Sequence, residues 1–190
     1  MLAPRRRVPV GAAALLVLAA VVVLLAADGA DAGRAYRKKT GGGISTQAWR
    51  FLAAHNAARR AVGVRPLAWD GKLERYARGH ALARARAGCG LVHSHGPYGE
   101  NLFRGSGAGG GGGWTPEAVV AAWVVKERDM YDARSNACRG PRGACGHYTQ
   151  LVWRKTSRVG CATSVCAGGR GTFAACAYDP PGNYAGVRPY

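Results

Sequence analysis

The chain has 190 residues, 48% of them hydrophobic and 8% aromatic, so it is long and apolar enough to bury a core. This length predicts one domain plus a targeting segment rather than two domains. The formal net charge of +17 favours anionic partners, although arginines scattered among alanines and glycines are also typical of a solvated basic surface.

The N-terminus carries the pattern of a secretory signal peptide. An apolar run from Val8 to Ala27 follows three arginines at positions 5–7, and Ala30-Asp31-Ala32 supplies small residues for cleavage. We predict a signal peptide over residues 1–32 and a mature chain that begins near Gly33. An uncleaved anchor is the alternative, because the run is long enough to span a bilayer. Both interpretations place the domain outside the cytosol, where nucleic acid is not an expected partner.

A basic, glycine-rich stretch over residues 33–44 predicts a flexible leader, and the domain itself is expected over residues 45–190. Ser45 is a suitable N-cap for a helix from Gln47 to Arg60. One face of this helix carries Ala48, Leu52, His55 and Ala58.

Two more helices are predicted on either side of a glycine-rich segment. Asp70 caps the first of them, and Gly88 ends it. Its helical spacing is shown by Leu73, Tyr76, Ala77, His80, Ala81 and Arg84. The run from Gly105 to Gly113 predicts a flexible loop, or else a tolerated low-complexity insertion. Thr115-Pro116-Glu117 starts the last helix, which should reach Glu127.

From His147 onward the pattern changes to a period of two, which predicts strands. The first strand has Thr149, Leu151 and Trp153 on one face. Further strands are expected over Val159–Cys166 and Thr172–Tyr178. Because helices precede strands, the sheet can be antiparallel, and the predicted fold class is α+β with helices covering a small sheet.

Six cysteines follow the N-terminal segment: Cys89, Cys138, Cys145, Cys161, Cys166 and Cys176. An even number outside the cytosol predicts three disulfides, whose pairing the sequence leaves open. A zinc–thiolate site is the alternative, but no C-x-x-C pair occurs and the spacings match no common zinc finger.

Histidines and glutamates are the residues best suited to chemistry. His93, His95 and Glu100 lie in an irregular segment, Glu127 at a helix end and His147 at a predicted strand start. The sequence does not by itself show that these side chains meet, and each is as typical of an exposed polar position.

Three segments have a more specific pattern: His93–Asn101, Gly146–Trp153 and Tyr178–Tyr184. The first resembles a signature of the plant pathogenesis-related 1 proteins. The other two resemble the patterns that define the wider superfamily of cysteine-rich secretory, antigen 5 and pathogenesis-related proteins, which share the CAP domain. The stretch Pro66–Asp70 is similar to the turn after the first helix of that domain. On these motifs the chain is identified as a member over about residues 45–190.

The resemblance implies a three-layered α-β-α sandwich, stapled by disulfides, in which two histidines and two glutamates converge in a cleft. Position by position, these four residues are His93, Glu100, Glu127 and His147. No cofactor is required, but the group suits a divalent cation such as zinc. Without a metal, the same side chains can pair with one another. We interpret the additional histidine, His95, as a surface residue.

The cysteine pattern of the family implies three disulfide pairs: Cys89 with Cys166, Cys138 with Cys145, and Cys161 with Cys176.

The resemblance further implies a secreted, antimicrobial or antifungal defence protein of the extracellular space (apoplast) that binds sterols or membrane lipids of pathogens. The loop Gly105–Trp114 would take part, with Phe103 and Trp114 as aromatic anchors. The alternatives are a precursor of a signalling peptide from residues 181–190 and a metal-dependent hydrolase. Since no placed nucleophile or base is visible, we expect binding rather than catalysis and assign no catalytic residue. Anionic cell-wall polymers are further expected partners, and a monomer is expected.

Overall fold

The computed structural model describes residues 44–107, 113–141 and 143–190. The predicted signal peptide, nearly all of the leader and five residues of the glycine run therefore lie outside the described residues. Within the described part of the chain, no helix is long and apolar enough to cross a membrane.

Three helices begin at the cap residues that the sequence predicts. Helix α1 spans Thr46–Ala61, helix α2 spans Gly71–Arg86 and helix α3 spans Pro116–Met130. Each cap side chain accepts hydrogen bonds from backbone N–H groups of the first turn: Ser45 from Ala48, Asp70 from Lys72 and Leu73, and Thr115 from Ala118. These bonds satisfy donors that have no partner inside the helix.

The main sheet has four strands in the order β1-β5-β6-β2. Their bounds are Ala68–Trp69 for β1, Gly99–Gly105 for β2, Arg158–Val165 for β5 and Thr172–Asp179 for β6. The long strands pair antiparallel, whereas the two-residue β1 pairs parallel to β5. A separate small hairpin joins β3, Tyr131–Asp132, to β4, Ala137–Cys138. The predicted strands at Val159–Cys166 and Thr172–Tyr178 are confirmed.

Helix α2 covers one face of the sheet, with small buried side chains toward β5 and β6. Its buried residues are Leu73, Ala77, Ala81 and Ala85. The approach is close at Gly160 of β5, where an added Cβ would lie 2.1 Å from the Glu74 nitrogen. Helices α1 and α3 cover the other face, so the predicted α+β class and three-layered sandwich are confirmed.

The strand predicted from His147 is wrong, because residues Gly146–Leu151 form the short helix α4. The alternation of the sequence is real but does not decide the structure here. Tyr148, Gln150 and Leu151 are buried, while Thr149 is only half-buried and its hydroxyl donates to Asn183 Oδ1 at 2.7 Å. Contacts from another helix stabilise the first turn of α4, and they override the local preference.

Three disulfides link Cys89 to Cys166, Cys138 to Cys145 and Cys161 to Cys176, the pairs that the resemblance implies. The first ties the end of α2 to the end of β5. The second closes the segment that leads into α4, and the third connects β5 and β6 across the sheet.

Candidate functional site

The first histidine–glutamate pair joins the segment after α2 to the start of β2. His93 Nδ1 lies 2.7 Å from Glu100 Oε1, and the Ser94 N–H donates to the same oxygen over 3.0 Å. Because a carboxylate accepts, Nδ1 carries a proton, and in the neutral imidazole this tautomer leaves the lone pair on Nε2. The His93 side chain is 56% exposed and that of Glu100 only 8%, so the imidazole meets solvent with the carboxylate behind it.

The second pair joins the last turn of α3 to the start of α4. His147 Nδ1 lies 2.6 Å from Glu127 Oε1, while Glu127 Oε2 accepts the backbone N–H groups of His147 and Tyr148 at 2.9 and 3.0 Å. The N-cap residue of α4 provides no side-chain cap. Glu127 therefore caps α4 from another helix, at the end where the helix dipole favours a negative charge. Trp123 stacks on the His147 ring, with centroids 6.0 Å apart.

A buried chain of polar groups supports the second pair from below. The Asn101 side-chain amide donates to the His147 carbonyl at 3.0 Å and to the Tyr178 hydroxyl at 3.1 Å. The Tyr178 hydroxyl donates to His55 Nε2 at 2.8 Å, and His55 Nδ1 donates to the Phe51 carbonyl at 2.7 Å. Burial lowers the pKa of His55 to about 4 and raises the pKa of Tyr178, so both stay neutral near neutral pH. We call His55, Tyr178 and Asn101 the polar chain.

The four predicted ligands form two histidine–glutamate pairs and not one tight cluster. In the described part of the chain, only His55, Cys161 and Cys176 bring three potential ligand atoms within 4.8 Å of one another. Those two cysteines share a disulfide, so they offer no thiolate to a metal.

The chemistry of the two pairs nevertheless fits a divalent cation. Nε2 of His93 and of His147 accepts no hydrogen bond from any described residue, while each Nδ1–H is held by a carboxylate. Histidines that bind zinc are commonly oriented in this way. The imidazoles would hold the ion and the glutamates would orient them.

A cavity of about 280 Å³ lies beside the first pair, with His93, Glu100, Gln150 and Asn183 in its wall. His95 also lines it and is exposed, with a φ of 55°. Glu127 and His147 are not among its lining residues, so the cavity belongs to one pair.

Sequence reasoning missed His80 of α2, which lies beside the first pair. Its Nε2 lies 3.0 Å from the Val92 carbonyl and 3.9 Å from Glu100 Oε2. The side chain is only 12% exposed, and its ring meets Phe173 edge-on. Its helical spacing groups His80 with the other periodic residues of α2. Nothing in the neighbouring sequence indicates that it lies close to Glu100, twenty residues later.

The profile of the cysteine-rich secretory protein family, or CAP, matches residues 52–178. The chain belongs to this family. It is 53% identical over 141 residues to the pathogenesis-related protein PR-1 of Medicago truncatula, covering 74% of this chain and 78% of that protein. It is 51% identical to pathogenesis-related protein 1A of Nicotiana tabacum, covering 74% of this chain and 79% of that protein. The chain is thus a pathogenesis-related 1-like member of the CAP family.

Solved structures agree with the CAP fold. The structure of NaASP2 with Zn²⁺ matches with a TM-score of 0.59 and 25% identity, covering 80% of this chain and 88% of that one.

The two aromatic anchors predicted for lipid binding in this CAP domain contact each other. Phe103 of β2 and Trp114 lie with ring centroids 4.8 Å apart in an edge-on arrangement, and Trp114 Nε1 donates to the Ser106 carbonyl at 3.0 Å. Gly105 makes room for the indole, because an added Cβ would lie 2.1 Å from Trp114 Nε1. Phe103 is buried and Trp114 half-buried, so Trp114 offers the accessible ring.

The C-terminal segment of the CAP domain is bound to the body of the protein. Asn183 donates to the Gly146 carbonyl at 2.8 Å and accepts from the Thr149 hydroxyl at 2.7 Å. The Arg188 guanidinium donates to the Ala133 and Arg134 carbonyls. Release of residues 181–190 as a peptide would have to break these contacts.

Proposed function

We propose that this pathogenesis-related 1-like protein is secreted and acts in defence by binding sterols or other membrane lipids of pathogens. The observation that carries the proposal is the family membership at 53% identity, joined to an accessible tryptophan beside the glycine-rich segment. Three disulfides support an extracellular location, since such bonds persist in oxidising compartments.

The ligand surface in this proposal is the ring of Trp114. Burial of about 100 Å² or more of apolar surface against a sterol contributes several kcal/mol at about 25 cal/mol per Å². Carboxylates offer no comparable surface to a sterol ring. Binding should therefore depend on Trp114 and survive changes in Glu100 or Glu127.

Sterol affinity of the refolded mature domain tests this proposal. We expect Trp114→Ala to weaken binding by at least about tenfold, with Glu100→Ala and Glu127→Ala near the wild type. Trp69→Ala is the matched control, because Trp69 is another half-buried tryptophan at the opposite edge of the sheet. Wild-type affinity in Trp114→Ala would contradict the loop hypothesis, and selective loss in the glutamate variants would move the lipid site to the cleft.

We also propose that a divalent cation such as zinc binds at His93 and His147, with Glu100 and Glu127 as orienting groups. When bound, the ion would supply a Lewis acid at the cleft. Protonation removes the lone pair of Nε2, so binding should weaken as pH falls through the histidine range.

Calorimetry with zinc on the wild type and on the double variant His93→Ala/His147→Ala tests the metal site. His95→Ala serves as control, because this histidine lines the same cavity without a glutamate partner. Unchanged zinc affinity in the double variant would refute the site.

A further inference from the structure

Two adjoining cavities lie on the face where the loop after α1 meets the α4–β5 connection. One, of about 330 Å³, is lined by Gly63, Val64, Arg65 and Arg154. The other, of about 300 Å³, is lined by Trp153, Arg154, Lys155, Val187, Arg188 and Tyr190. Arg154 lines both, so one surface with two cavities carries four cationic side chains: Arg65, Arg154, Lys155 and Arg188. We call it the basic groove.

The four cations of the basic groove are not held in ion pairs by described residues. Its four cations are exposed, and none of them forms an ion pair with an acid in the described part of the chain. Two acids, Asp179 and Asp132, are engaged with other partners. Asp179 pairs with Arg158, and Asp132 accepts hydrogen bonds from the Arg134 N–H and the Ser135 hydroxyl.

A fifth cation lies beneath the groove and joins its walls. The buried Arg59 guanidinium donates to the Arg65 carbonyl at 2.7 Å, on one wall. It also donates to the carbonyls of Leu151, Trp153 and Thr156 at 2.9, 2.9 and 3.0 Å, on the other. Burial lowers its pKa to about 10, so it stays charged at neutral pH. The walls are therefore fixed, and the floor adds positive potential.

The second cavity also has aromatic walls. Trp153 is buried beneath it and Tyr190 is half-buried at its side. The Arg154 N–H donates to the Pro189 carbonyl at 2.6 Å, which fixes the C-terminal segment against the α4–β5 connection that carries Arg154 and Lys155. Of these two rings, the half-buried Tyr190 offers flat apolar surface to a sugar ring.

We propose that the basic groove binds a polyuronate, an acidic polysaccharide whose sugar rings carry carboxylates. A row of guanidinium and ammonium groups matches a repeating carboxylate, and guanidinium binds carboxylate through two parallel hydrogen bonds. The concave shape favours a chain molecule over a membrane. Most exposed large aliphatic residues that could enter a bilayer lie outside the groove: Leu82, Leu91, Val92, Val125 and Val165.

This surface is separate from the histidine–glutamate pairs and from Trp114, so the inference does not depend on sterol or metal binding.

Binding of the full mature chain to polygalacturonate tests the groove. We expect the triple variant Arg65→Ala/Arg154→Ala/Lys155→Ala to lose at least about tenfold in affinity, with a shallower salt dependence. The matched control is Lys72→Ala/Arg75→Ala/Arg104→Ala, which removes the same charge from exposed residues elsewhere that form no ion pair with a described residue. We expect the control to change affinity by less than about threefold. Thermal unfolding of both variants verifies that the fold is kept.

Each remaining outcome decides the proposal. Equal losses in both triple variants would show attraction by net charge alone and overturn the groove. Full binding to methyl-esterified polygalacturonate, which lacks the charge, would overturn carboxylate recognition. Loss of binding to vesicles of anionic phospholipid in the groove variant, with polygalacturonate binding intact, would assign the face to membranes instead.

Discussion

The two faces of the central sheet are packed by different chemistry. On one face, α2 meets the sheet through small apolar side chains such as Ala77, Ala81 and Ala175. On the other, the helices bury apolar side chains such as Phe51 and also polar groups, of which His55 and Tyr178 are fully enclosed. The first face depends on how closely backbones approach, and the second on whether each polar group keeps its partner. We therefore expect the first face to be sensitive to substitutions that add bulk, and the second to changes that remove a hydrogen-bond partner.

The largest loss of stability is expected on the apolar face, from a substitution at Gly160. An alanine there would place its Cβ 2.1 Å from the Glu74 backbone nitrogen, and backbone cannot move aside cheaply. We expect Gly160→Ala to lower the free energy of unfolding by at least about 3 kcal/mol, measured by denaturant titration.

Gly79→Ala is the control on the same helix, because an added Cβ meets nothing within 4 Å there. Alanine is the better helix former, so this variant should gain about 0.5–1 kcal/mol. A Gly160→Ala protein as stable as the wild type would show that α2 is not tightly seated.

Acid should destabilise the polar face, because the folded protein disfavours protonation of His55. Burial lowers the pKa of His55 from 6.5 to about 4, so between these values the unfolded chain binds a proton that the folded protein does not. The contribution is fully present above pH 6.5 and is lost as pH falls toward 4, by about 3 kcal/mol. Denaturant unfolding at several pH values should show a weaker pH dependence in His55→Gln. Parallel curves for the two proteins would contradict this assignment.

A smaller effect is expected from removing one hydroxyl in the polar chain. Tyr178→Phe keeps the ring but leaves His55 Nε2 without its donor and removes an acceptor from Asn101. The loss should be about 1–3 kcal/mol in the free energy of unfolding. Tyr184→Phe is the control, since Tyr184 is exposed and its hydroxyl has no described partner, and it should stay within about 0.5 kcal/mol. If Tyr178→Phe and Tyr184→Phe were equally stable, the polar chain would contribute nothing measurable to stability.

The smallest effect should come from the surface ion pair at the rim of the polar face. Arg50 meets Glu117 through two hydrogen bonds of 2.7 and 2.6 Å, and these lower the pKa of Glu117, but both side chains are over a third exposed. A double-mutant cycle with Arg50→Ala and Glu117→Ala should give only a small coupling, which shrinks in high salt because solvent screens both charges. A coupling that does not change with salt would show that this ion pair is shielded from solvent, contrary to its exposure here.

Sequence reasoning predicted the parts of the fold that local contacts decide. The caps at Ser45, Asp70 and Thr115 act within three residues, so the starts of α1, α2 and α3 were readable. Helix α4 was missed because its cap is Glu127, about twenty residues earlier on another helix. No periodicity records such a contact.

The candidate site shows the same division. Its four residues were named through the family resemblance, and the sequence could not tell that His93 pairs with Glu100 and His147 with Glu127. The burial of Arg59 was also missed, because an arginine on an amphipathic helix is ordinarily exposed. Its hydrogen bonds go to carbonyls far along the chain, which only the folded structure brings together.

The double role of Glu127 has a consequence for comparing relatives of this protein. The carboxylate caps α4 and orients His147 at once, and Glu100 similarly holds both a backbone N–H and an imidazole. Selection for a stable fold alone is therefore enough to retain both glutamates through evolution, even in a lineage that has lost its ligand. The exposed side chain of His93 does not hold the fold together in this way. In an alignment of relatives, the presence or absence of a histidine at position 93 therefore reports on ligand binding, because the fold does not require it.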